Sequence, residues 1–67
     1  MNKLDKYVGR MVRLNEETFR RIKGTHRWRP IEENNFIVAT VSHEMRKLIC
    51  YGGNIRIAVG ASDVRLI

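Results

Sequence analysis

The chain has 67 residues, enough for one domain near the lower size at which a globule buries sufficient surface to fold alone. Thirteen Lys and Arg stand against seven Asp and Glu, a formal net charge of +6, and nine of the cations are Arg. One cysteine, Cys50, excludes an internal disulfide, and Cys50 with His26 and His43 shows no zinc-ligand spacing.

Residues 7–14, YVGRMVRL, alternate loosely, with Val8, Val12 and Leu14 on one face, and are expected to form a strand. Asn15 then opens NEETFRRIKG. It is a good N-cap, Glu16 and Glu17 suit the positive end of a helix dipole, and Phe19 and Ile22 share a helical face. Glu16 with Arg20 and Glu17 with Arg21 have the four-residue spacing of helical ion pairs. A two-turn helix over 15–23 follows, with Gly24 as its left-handed stop. Residues 24–35, GTHRWRPIEENN, read as a loop.

From Phe36 the chain becomes apolar and β-branched. FIVATVSH, KLICY and IRIAVG are three strands, joined by the tight connection 44–46 and by a glycine turn at Gly52-Gly53 that reaches toward Asn54. Residues 60–63 form a single turn, and VRLI is a short last strand. The expected core is Phe36, Val38, Val41, Leu48, Ile55, Ile57, Val59 and Leu66.

This order of a strand, a long polar excursion, three hairpin-linked strands, one turn and a final strand resembles the SH3-like small barrel in layout. The resemblance implies a mainly β, five-stranded barrel spanning 1–67 as a single domain, with one short helix in its long first loop, and closure would remove exposed edges. The alternative is an open antiparallel sheet with the helix packed on one face, an α+β arrangement. GGNIRIAVGA looks like the glycine-turn strand of the carbon storage regulators, but the N-terminal strand pattern of that family is absent. Type II plasmid dihydrofolate reductases also use an SH3-like barrel, and their Val-Gln-Ile-Tyr run is missing here.

A sequence pI of about 10.3 is the electrostatic footprint expected of a polyanion binder. The HRWR segment alternates basic side chains with an indole beside Arg20, Arg21 and Lys23. Arg grips phosphates, and Trp offers a platform for an unpaired base. The expected nucleic-acid contacts are therefore Arg20, Arg21, Lys23, Arg27, Trp28 and Arg29, with DNA and RNA both open. Solvation of the helix surface and packing of Trp28 into the core are the plainer readings of the same residues. Arg56 and Arg65 point away from the Ile55/Ile57 and Val64/Leu66 faces and are expected on one outer barrel surface.

Catalysis is poorly supported. Neighbours such as His43 and Glu44 point to opposite faces of a strand, and Cys50 lies in apolar LICY, where a thiol behaves as a small hydrophobe. No phosphate-cradling glycine loop is present. No cofactor or metal is expected. The chain begins without an apolar signal region, contains no apolar run of about 20 residues, and has one thiol, all of which suit a cytoplasmic, prokaryotic-type accessory protein. The rival reading is a protein-interaction or self-assembly module, as a homo-oligomer or against an acidic partner, with no membrane contact.

Overall fold

The computed structural model describes residues 3–25 and 32–67. A short 3₁₀ helix, Lys3–Tyr7, leads to strand β1, Met11–Leu14, and helix α1, Glu16–Thr25. Strands β2 (Phe36–Ser42), β3 (Lys47–Gly52) and β4 (Ile55–Val59) follow. A 3₁₀ turn, Ala61–Asp63, delivers β5, Val64–Leu66. All strand pairs are antiparallel, and they form one sheet in the order β4-β3-β2-β1-β5. The molecule is mainly β, as the strand texture predicts. Among the described pairings β4 and β5 are the two edges and do not join, so the sheet is open.

The first strand is shorter than 7–14. Tyr7 closes the 3₁₀ helix, and Gly9 takes a φ of +79°, a left-handed turn that an extended strand cannot contain. Val8 is consequently 46% exposed rather than aligned with buried Val12 and Leu14. Pairing with β2 still begins here, because the Gly9 N–H donates to the Val38 carbonyl at 2.8 Å and the Val38 N–H donates to the Arg10 carbonyl at 3.0 Å.

Asn15 caps α1 as expected, its Oδ1 accepting the Thr18 N–H at 2.9 Å. The helix does not stop at Gly24. Positive φ among the described glycines is confined to Gly9 and Gly53, and the helix runs on to Thr25, whose hydroxyl donates to the Arg21 carbonyl at 3.0 Å. Ile22 enters the core, and Phe19 packs against it half-buried.

The sheet registers explain the rest of the core. Phe36, Val38, Leu48, Ile55, Ile57 and Val59 are buried, joined by Val12, Leu14 and Cys50. Between Val38 and Thr40 the β2–β3 register slips by one residue, a β-bulge, and Val41 beyond it is half-buried. The turn after β3 has Gly53 and Asn54 as its two central residues, with φ of 55° and 65°, the pair of positive values typical of a two-residue hairpin. Gly52 instead pairs with Ile55 inside the ladder. It must lack a side chain, because a Cβ there would lie 2.5 Å from the Phe36 ring and 2.7 Å from the Asn35 carbonyl oxygen. Leu66 departs from the expected core at 42% exposure. Its strand is three residues long, sits at the edge and pairs with β1 alone, so one flank stays open.

Two polar clamps close the end of the sheet from which α1 starts. The Asn34 amide both accepts the Leu14 N–H at 2.8 Å and donates to the Leu14 carbonyl at 2.7 Å, completing the β1 ladder where no strand residue stands. Asp63 accepts the buried Thr18 hydroxyl at 3.1 Å through one oxygen and the Gly60 N–H at 3.0 Å through the other. Its backbone carbonyl accepts the Asn15 N–H at 2.8 Å.

Replacing Asp63 with Ala is expected to cost about 1–3 kcal/mol, since Thr18 is then buried without its acceptor. Ile57→Ala should cost about 2–4 kcal/mol by cavity formation. Both are read as losses of ΔG in urea unfolding. Parent-like midpoints for either variant would contradict the packing described.

Candidate functional site

Of the six residues expected to contact nucleic acid, Arg20, Arg21 and Lys23 lie on α1 and are exposed. Arg27, Trp28 and Arg29 lie outside the described residues. The three helical cations are not equivalent. Arg20 is held by Glu16 at 2.5 Å across one helical turn, with both side chains about three-quarters exposed. Such a surface pair neutralises charge locally and adds little stability. The Glu17–Arg21 pair that the spacing allows does not form, and Arg21 makes no ion pair among the described residues. The Lys23 ammonium lies over the Phe19 ring, 5.4 Å from its centroid, with its other side open to solvent.

The fold gives Arg21 a neighbour that helical spacing does not reveal. Arg21 and Thr25 of α1 share a shallow concavity of about 290 Å³ with Arg56 of β4, floored by Ile22, Ile57 and Ala58. Two guanidinium-bearing side chains therefore border one apolar-floored depression, where the Thr25 hydroxyl already donates to the Arg21 carbonyl. That set of donors suits a phosphate or carboxylate oxygen.

At the opposite edge, the β1–β5 register places Arg13 directly opposite Arg65. Both are exposed, and both line a second concavity of about 400 Å³ beside Phe19 and Asn34. Like charges directly opposite one another in an antiparallel pair are unfavourable, and a bound anion removes that penalty. Arg56 and Arg65, expected on one outer surface, do both face outward, but from the two different edges of the sheet. Their alternation with Ile55, Ile57 and Val64 made the outward direction legible, whereas Arg21 beside Arg56 and Arg13 beside Arg65 are products of tertiary pairing.

The remaining chemistry-bearing residues are dispersed. His43 Nε2 stands 3.5 Å from Asp5 Oδ1, with both side chains about half exposed. Among the described residues no three His, Cys, Asp or Glu side chains are grouped to hold a metal ion. No described helix is long and apolar enough to cross a membrane. Cys50 is fully buried, and that burial pushes its thiol up from 9.0 to about 11.

No family model matches the sequence, and no curated protein or solved structure matches it either.

Because folding raises the Cys50 pKa, the neutral thiol contributes stability in full below about pH 9, and that contribution is lost as pH rises toward 11. Native-state labelling by iodoacetamide should stay far slower than labelling in denaturant at pH 9. Equal rates would show that Cys50 is accessible.

Proposed function

We propose that the protein is a non-enzymatic nucleic-acid-binding module that grips phosphates with weak sequence preference, in an accessory or regulatory role. The reading rests on one observation above the others. Among the described Lys and Arg residues only Arg20 sits in an ion pair, while Arg21 and Arg56 are brought to the rim of one concavity. Uncompensated cations gathered on a surface attract a polyanion and gain from counterion release when it binds. Arg20, Arg21, Lys23, Arg27 and Arg29 supply phosphate contacts in this account, Arg56 extends them onto the sheet, and Trp28 stacks on an unpaired base.

We further propose that the sheet belongs to the SH3-like barrel class. Support comes from the meander β1–β4, the return of β5 beside β1, the 3₁₀ turn that precedes β5 and the long excursion between β1 and β2. A buried lone thiol suits a reducing compartment, and the reading places the protein in the cytoplasm.

The deciding measurement is titration against short DNA and RNA, single- and double-stranded, at several salt concentrations. Binding should weaken with a log–log salt slope of about 3 to 5 per chain, at roughly 0.7–0.9 per neutralised phosphate. Arg21→Ala and Arg56→Ala should each lower the slope by about one unit, alike for different sequences. Trp28→Ala should weaken single-strand binding by about 1–3 kcal/mol with little change of slope, since stacking frees no counterions. Absence of binding at low salt, or equal and weak effects of every basic substitution, would sink this reading.

A further inference from the structure

The outward face of the sheet carries a row of apolar side chains that strand pairing lines up. The β1–β2 register sets Met11 opposite Ile37, and the β2–β3 register sets Ile37 opposite Tyr51. Ile67, whose N–H donates to the Met11 carbonyl at 3.1 Å, extends the row beyond β5. These four residues, Ile67, Met11, Ile37 and Tyr51, are 60%, 44%, 43% and 45% exposed. Neighbouring strands lie about 4.8 Å apart, so the row spans about 14 Å. Scattered exposed hydrophobes need no explanation, but four consecutive cross-strand neighbours make a contiguous apolar stripe of the kind that marks an interaction site.

The strands that carry the stripe hold charge of one sign. None of the five strands contains Asp or Glu. Arg56 pairs directly with Tyr51 at one end of the row, and Arg13 and Arg65 lie two residues along their strands from Met11 and Ile67. The stripe is thus an apolar strip rimmed by arginines at both edges of the sheet.

We propose that this face is the docking surface for an acidic protein segment that carries large apolar side chains. Charge complementarity selects that occupant. A second copy of this chain would bring Arg13, Arg56 and Arg65 against the same cations. A nucleic acid would satisfy the arginines and stack one base on Tyr51, but Ile67, Met11 and Ile37, the rest of the stripe, offer no stacking face. An acidic segment with apolar anchors removes water from the stripe, pairs with the rim and relieves the Arg13–Arg65 repulsion together. This surface shares Arg56 with the phosphate-binding reading but none of the helical cations, and the proposal stands whether or not nucleic acid binds α1.

The test is selection of a randomised displayed peptide library on the full chain, with a Met11→Thr/Ile37→Thr double variant as counter-bait. Both positions are outward and exposed, and threonine suits a strand, so the variant should melt like the parent. Peptides enriched on the parent should combine Asp or Glu with large apolar residues. They should lose about tenfold or more in affinity on the double variant, the scale expected for removal of central apolar contacts. Arg13→Glu/Arg65→Glu should turn the selected charge toward Lys and Arg. Failure to enrich any peptide over the counter-bait overturns the proposal, as does enrichment without acidic residues. Two further results assign the face elsewhere and also overturn it. One is a concentration-dependent dimer in sedimentation that Ile37→Thr dissolves. The other is an oligonucleotide that shifts the amide resonances of Met11, Ile37 and Tyr51 and competes with the selected peptides.

Discussion

Asp63, 45 residues from Thr18 in sequence, joins the turn after β4 to the start of α1 and the end of β1. One carboxylate oxygen takes the hydroxyl of Thr18 in the first turn of α1, the other takes the Gly60 N–H at the end of β4, and the backbone carbonyl receives Asn15 at the end of β1. Helix, first strand and last strand are thereby held at one corner. A sheet this small has a single inner face to bury, and α1 can bring Ile22 over that face only if its first turn is anchored. Thr18 is the one buried polar side chain among the described residues, and Asp63 is what makes its burial tolerable. Asn34 acts similarly on Leu14, replacing the missing strand partner with a side-chain amide.

Anchoring α1 at that corner also decides where the charges lie. The helix runs from the Arg13–Arg65 edge, where Glu16 and Phe19 line the concavity, to the β4 edge, where Arg21 and Thr25 meet Arg56. Glu16 is already engaged by Arg20, so its carboxylate does little to offset the guanidinium groups on the sheet. Among the described residues, Arg13 and Arg65 at one edge and Arg21 and Arg56 at the other are therefore solvent-facing cations outside any ion pair. Such an arrangement favours rapid encounter with an anionic partner and strong dependence on salt.

Inner and outer faces of the sheet solve different problems. Inside, Phe36 fills the space that a Cβ at Gly52 would invade, and the bulge in β2 lets Val38 and Val41, three residues apart, stand opposite Cys50 and Leu48. Outside, the same pairing lines up Met11, Ile37 and Tyr51 with Ile67 and leaves them in water. Contact between these cross-strand neighbours supports the pairing of the sheet, and their alignment between arginines is the feature from which a partner is proposed.

Local sequence determined the elements whose causes are local. β-branched runs made β2, β3 and β4 legible, Asn15 and the acidic first turn marked the start of α1, and alternation placed Ile55, Ile57 and Val59 inward with Arg56 outward. Other local signals did not decide the outcome. Gly24 stayed helical, Leu66 was left open by an edge position that no pattern within VRLI encodes, and the expected Glu17–Arg21 pair did not form. The helical cations Arg20, Arg21 and Lys23 could be picked out from residue type and spacing alone. Their pairing with Arg56, the opposition of Arg13 to Arg65 and the apolar row across β5, β1, β2 and β3 could not. Those contacts join residues far apart in the chain, and strand register, which is set only when the whole sheet assembles, is what brings them together.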